Sequence, residues 1–292
     1  IGRLSLLGAT LIWGSSFIIL KSTLDSVPTL WVLALRFTGA ALLMALIGIK
    51  ELRLLDRQYL LKGLGLGTAL FAAYTLQTFG LEYTTPGKNA FLTATYCVIV
   101  PFMWWFFTKK RPDRFNIAAA LVCIIGMALV SLDGGLSLGL GDALTICCGF
   151  FYALHIILTA RAVEGRSPVL LSMVQFAVAA VWCWVTAPIV SPFPQGVPAS
   201  AWWSIAYLCF MCTGVCFLLQ TIGQKHTPPQ TASIILTLES VFGTLLSVLF
   251  YHERLIFKTA AGFVLIFVAV LISETKLSFL KPVSYTHLTL PT

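Results

Sequence analysis

The sequence predicts an all-α integral membrane protein of about ten transmembrane helices, folded as two inverted five-helix repeats. Three observations carry this reading. First, 58% of the 292 residues are hydrophobic and only 10% charged, with a mean hydropathy of +0.92. A water-facing domain carries roughly a quarter charged residues, so the apolar surface left over requires lipid. Second, the apolar residues come in runs of about 20, the length that takes a helix across about 30 Å of hydrocarbon. Third, the polar landmarks of the first half recur in the second.

The runs can be followed in order. Leu4–Leu24 ends before Asp25 and Pro28, and Leu30–Ile49 runs from there to the charged stretch that begins at Lys50. Tyr59–Leu81 stops at Glu82 and the Pro86-Gly87 turn, and Asn89–Phe107 stops at Lys109, Lys110 and Arg111-Pro112. Phe115–Leu132 closes on Asp133-Gly134-Gly135. Asp142–Ala162 and Pro168–Val190 are separated by Arg166 and Ser167-Pro168, and the latter ends in the stretch from Pro192 to Pro198. Trp202–Ile222 ends before Pro228-Pro229, and Thr231–Phe250 and Lys258–Ser273 complete the set. Gly and Pro at most of the junctions supply the turns. β-Barrel strands are excluded, because these runs are about twice a strand's length and do not alternate.

A net charge of +8 suggests a nucleic-acid surface until the charges are located. They lie in short loops, where they orient the chain in the bilayer, so no nucleic-acid partner is implied. With the N-terminus inside, the inner segments hold fourteen Lys and Arg against four outside. Both termini are therefore expected in the cytoplasm and the chain in the inner (cytoplasmic) membrane as a multi-pass protein. All eight cysteines sit in apolar runs and read as small packing residues. Cys209, Cys212 and Cys216 share a helix face, but no His or carboxylate lies beside them, so no metal is expected. No phosphate-binding loop or nucleophile–base pair stands out, and no cofactor is implied. The chain opens at Ile1, so an initiator methionine and some residues are expected ahead of it, and its first run is too long for a cleavable leader. Residues 282–292, PVSYTHLTLPT, turn polar and are set apart as a disordered tail or an assembly scar.

The repeat appears when the sequence is shifted by 143: FGLEYTTPGKNAFLTATYCVIVP at 79–101 lies over IGQKHTPPQTASIILTLESVFGT at 222–244. Gly80, Thr84 and Pro86 meet Gly223, Thr227 and Pro229. Upstream, a shift of 139 sets Trp13 on Tyr152, Arg36 on Gln175 and Phe37 on Phe176. The repeats are bounded at 1–138 and 139–281. Five spans in each force the second copy to enter from the opposite face.

LIWGSSFIILK in the first span, ALRF in the second, TTPGKNAFLTATYCVIVPF in the fourth and ILTLESVFGTLLSVLFYHERLIFKTAAG across the ninth and tenth resemble the EamA family of drug/metabolite transporters. The resemblance covers residue 4 to about 275 and departs in the sixth span, where the family often carries Trp near Tyr152. It implies ten spans, an inverted repeat and mostly export of amino acids, sugars or other small metabolites.

Polar residues inside spans are the candidates for function, since each must be satisfied without water. Glu239 stands about 12 Å into the ninth span and is the carboxylate furthest from any loop, a candidate for proton coupling. Its repeat mate is Tyr96, which shares a face with Asn89 and Thr93. Gln77 and Gln220 coincide under the same shift, Tyr74 shares the face of Gln77, and Tyr152 and His155 share one in the sixth span matched by Trp13. Aromatics and neutral amides facing a central cavity suit a small organic solute. Arg36 is read as an anchor, close enough to the outer end of its span to snorkel. The stripe Ser233, Thr237, Ser240, Thr244 and Ser247 is read as helix packing. The expected function is a secondary transporter working by alternating access, its partners a small-molecule substrate and the bilayer. The alternatives are an intramembrane enzyme on lipid-linked substrates, which lacks clustered acids or bases here, and a passive sensor or scaffold subunit, against which the repeat argues.

Overall fold

A computed structural model of the chain describes residues 2–131, 139–252 and 257–275. The sequence-predicted turn at Asp133-Gly134-Gly135, the ERL stretch after His252 and the tail 282–292 lie outside the described residues. Among those described, every regular element is helical. The long helices are α1 Gly2–Leu24, α2 Thr29–Ile47, α3 Arg57–Glu82, α6 Arg114–Ser131, α7 Leu140–Ala162, α8 Pro168–Val190 and α13 Phe257–Thr275. Three further segments are composite: α4 Pro86–Thr93 with α5 Tyr96–Thr108; α9 Ala199–Tyr207, a π stretch Leu208–Val215 and α10 Cys216–Lys225; and α11 Pro229–Leu236 with α12 Leu238–Tyr251.

Local chemistry explains the starts and stops. Asp56 caps α3 by accepting from the Tyr59 N–H at 2.8 Å. Thr85 and Ser167 cap α4 and α8, each followed by a proline whose missing N–H is no loss in a first turn. Eight of these segments are long and apolar enough to cross a membrane. The expected fifth and tenth spans are helical as α6 and α13.

Side-chain contacts sort the helix termini into two ends. At one, the Arg166 guanidinium donates to Gln58, the Ser167 N–H donates to the Tyr59 hydroxyl, and Arg161 lies over the Phe107 ring. At the other, the Lys21 ammonium donates to the carbonyls of Leu81, Glu82 and Thr84 at 2.6–3.1 Å. There Lys88 pairs with Asp142 at 2.7 Å, and Thr29 donates to Glu82. Helix α2 packs on α8 and α6 on α13, while α3 packs on α7 as α10 packs on α1. Close approach depends on small residues: a Cβ at Gly14 would stand 2.5 Å from the Phe242 Cβ and 2.9 Å from the Gly243 nitrogen, so only glycine lets α1 and α12 meet there. The Ser233–Ser247 stripe is buried, and the hydroxyls of Ser233, Thr237, Ser240 and Thr244 donate to carbonyls one turn back in their own helices.

The fourth and ninth predicted spans differ from expectation in being broken. The Thr237 N–H reaches the Ser233 and Ile234 carbonyls at 3.2 Å each, and Ser240 N–H turns to Thr237 at 3.0 Å. In the same way the Cys97 N–H turns to Ala94 at 3.0 Å. These tightened i→i−3 bonds re-aim the chain just before Tyr96 and Glu239.

Candidate functional site

Between α1, α3, α5, α7, α10 and α12 lies a cavity with about 30 Å³ open to the centre of a water molecule. One such centre needs about 10–15 Å³, so in this conformation the space suits roughly two waters and is too small for a metabolite. Its walls are mostly rings: Trp13, Phe17, Tyr74, Tyr96, Tyr152 and Phe217. The polar groups on it are Ser16, Gln77, Gln220 and Glu239, with Ile156 and Leu236 completing it.

The rings form a chain of contacts. Trp13 meets Phe217 at 4.9 Å between centroids, Phe217 meets Tyr74 at 5.9 Å, Tyr74 meets Tyr152 at 5.6 Å, and Tyr152 meets Tyr96 at 6.3 Å. The Tyr96 hydroxyl then donates to the Glu239 carboxylate at 3.2 Å. The Tyr152 hydroxyl donates to Gln77 Oε1 at 2.8 Å, and Gln77 Nε2 donates to Thr93 at 2.9 Å. Trp13 is fixed by the π stretch, whose widened turn leaves the Cys212 carbonyl to accept the indole N–H at 2.6 Å. Gln220 differs from Gln77: its Oε1 is buried and accepts no hydrogen bond among the described residues.

Of the sequence-predicted site residues, Trp13, Tyr74, Gln77, Tyr96, Tyr152, Gln220 and Glu239 come together on this one wall. Asn89, Thr93 and His155 stand outside the lining. Asn89 Nδ2 donates to the Gln77 carbonyl at 3.1 Å and to Thr145 at 2.8 Å, and Thr93 backs Gln77. His155 Nε2 is 2.7 Å from Gln175 Oε1, with its ring against Phe217. Arg36 is held inside the bundle. It does not snorkel: it is 1% exposed, donates to the hydroxyls of Thr213 and Tyr74, and lies 4.7 Å from the centre of the Tyr74 ring. Internal partners at hydrogen-bond distance outcompete a reach to the surface.

Sequence reasoning passed over Phe17 and Phe217, which carry no polar signal in an apolar run, and the Lys88–Asp142 pair, whose partners belong to different helices. The described residues contain no cluster of three metal-binding side chains.

A profile of the EamA-like transporter family matches this chain twice, over residues 1–132 and 139–275. An uncharacterized transporter of Archaeoglobus fulgidus is 30% identical over 265 residues, covering 90% of this chain and 82% of its own length. A second, YyaM of Bacillus subtilis, also described as an uncharacterized transporter, is 24% identical over 257 residues, covering 83% of each chain. A crystal structure at 18% identity superposes with a TM-score of 0.78 over 96% of this chain and 99% of its own. At that identity the likeness speaks for the fold.

Proposed function

The chain belongs to the EamA-like transporter family, and on that premise we propose that it is a secondary exporter of small organic metabolites such as amino acids, working by alternating access around the Tyr96–Glu239 cavity. The observation that carries this reading is the bond between Tyr96 and Glu239, residues 143 apart that each follow a break in a composite helix. Broken helices concentrate polar groups at membrane depth where they face a cavity, as transporter sites do. The small volume supports the same reading, since a contracted site is a form an alternating-access cycle passes through.

The architecture we propose is ten spans in two inverted repeats, 1–138 and 139–281. The double profile match supports it. So does the contact pattern: exchanging the halves turns the α3–α7 contact into α10–α1, and leaves α2–α8 and α6–α13 in place. Glu239 is the proton-coupling group in this reading, because a carboxylate facing the cavity beside a single phenol can exchange a proton as the cavity opens to either side. The chain is placed in the cytoplasmic membrane, with the Arg161–Arg166 end in the cytoplasm as its basic loops require.

Counterflow of radiolabelled amino acids in proteoliposomes tests the function. Preloading with unlabelled solute should speed entry of the labelled one, and no trans-stimulation across amino acids and sugars would remove the solute class. Orientation is read separately, by an impermeant maleimide on a single cysteine placed between Thr108 and Arg114 in a cysteine-free chain. That site should stay unlabelled in intact cells and react after lysis; labelling of intact cells reverses the topology.

A further inference from the structure

The polar atoms around the cavity are unevenly engaged, and the imbalance has a chemical sign. Four of its donors are committed within the protein: Trp13 Nε1 to the Cys212 carbonyl, the Tyr152 hydroxyl to Gln77, Gln77 Nε2 to Thr93, and the Ser16 hydroxyl to the Trp13 carbonyl. Two of its acceptors keep capacity. Gln220, only 3% exposed, holds Oε1 with nothing bound to it among the described residues. The Glu239 carboxylate, 7% exposed, accepts one hydrogen bond, from Tyr96, where an ionised carboxylate offers about four sites.

Charge points the same way. Glu239 is the one ionisable acid on the wall, and no Lys or Arg is among the residues that line it. The Arg36 guanidinium lies over the Tyr74 ring and donates to its hydroxyl, and Arg36 is not among the residues that line the cavity. The rest of the wall is the arc of rings from Trp13 to Tyr96, whose electron-rich faces attract cations. An anionic ligand would meet the Glu239 charge with no cation beside it, and a neutral one would leave the carboxylate unpaired in a dry site.

We propose that this cavity recognises a protonated primary amine on the transported solute, with Glu239 as counter-charge, Gln220 Oε1 taking a second N–H, and the aromatic arc flanking the ammonium group. Two separated acceptors call for an N–H-bearing ammonium rather than a quaternary one, which has no proton to give either. The proposal rests on the transporter reading for the fate of the ligand, but the binding preference stands without it.

Four probes on one arylethyl skeleton separate the possibilities in calorimetric titrations of the detergent-purified full chain: phenethylamine, 2-phenylethanol, phenylacetate and phenethyltrimethylammonium. Phenethylamine should bind at least about tenfold more tightly than the alcohol and the acid, the size expected of one charge-assisted contact, and more tightly than the quaternary cation. Glu239→Gln should reduce the amine-over-alcohol preference to near unity. Gln220→Leu should erase the preference for primary over quaternary ammonium while keeping that for cation over alcohol, which gives a second reading if Glu239→Gln does not fold. Equal binding of all four probes, tighter binding of phenylacetate, or no binding of phenethylamine at millimolar concentration overturns the proposal. Trans-stimulated flux of amino acids without any amine preference removes this inference alone, whereas the amine preference without flux of any solute removes the transporter reading alone.

Discussion

The composite helices α4–α5 and α11–α12 share a backbone device and differ in what they do with it. Each breaks just ahead of a residue that reaches the cavity, Tyr96 in the first and Glu239 in the second. Around Tyr96 the hydrogen bonding closes on itself: Gln77 is held by Tyr152 and Thr93, and Asn89 ties that group to Thr145. On the other wall the matched glutamine, Gln220, has an unused acceptor, and Glu239 has one partner. Matched positions thus differ: the Gln77 amide is held at both its oxygen and its nitrogen, whereas Gln220 Oε1 has no partner among the described residues and Glu239 accepts one bond. A buried group without a partner costs about 1–3 kcal/mol, a cost that falls on Gln220 Oε1 at the cavity and on Asn89 Oδ1 behind Gln77.

Substitutions on the two walls should therefore separate. The largest effect is expected at Glu239. Glu239→Gln keeps the shape but cannot carry a proton, so accumulation driven by an imposed pH gradient in proteoliposomes should fall to the level of empty vesicles; full accumulation by this variant takes the residue out of coupling. Next come the two glutamines, which should fail in opposite ways. Gln220→Ala should weaken solute affinity about tenfold, near 1.4 kcal/mol, with little change in the thermal unfolding midpoint. Gln77→Ala strands the Tyr152 hydroxyl and should instead lower stability by about 1–3 kcal/mol. If both variants lose affinity alone, the walls are equivalent and the comparison collapses. The smallest change is expected for Tyr96→Phe, which removes one hydrogen bond of about 1 kcal/mol and should slow trans-stimulated flux a few-fold. A loss as deep as that of Glu239→Gln would make the phenol an equal partner.

Much of this site can be found in the sequence, and the reasons for the remainder are physical. The shift of 143 sets Tyr96 against Glu239 and Gln77 against Gln220 on paper, and in the structure all four share one cavity. Helical periodicity identifies a polar face but not what that face meets. Asn89 and Thr93 lie on the Tyr96 face, yet they turn to Thr145 and Gln77 because those neighbours are within bonding distance. The breaks carry no local signature either: Ala94, Thr95 and Thr237 are not residues that stop helices as proline does, so the change to i→i−3 bonding comes from tertiary packing. The π stretch is equally silent in sequence. It is seen only through its effects, the Trp13 bond to Cys212 and the placing of Thr213 where Arg36 finds it. The spans themselves are legible because length and hydropathy are properties of single segments.

The narrowness of the cavity has a consequence for the alternating-access cycle proposed above. About 30 Å³ must become a site large enough for a solute, on the order of 300 Å³. At about 30 Å³ of liquid per water molecule, opening draws in roughly ten waters and closing expels them. Hydration is then a reactant in the conformational equilibrium. Osmolytes too bulky to enter the cavity withdraw that water and favour the closed form, so osmotic stress acts as a brake on turnover that needs no contact with the protein's binding groups.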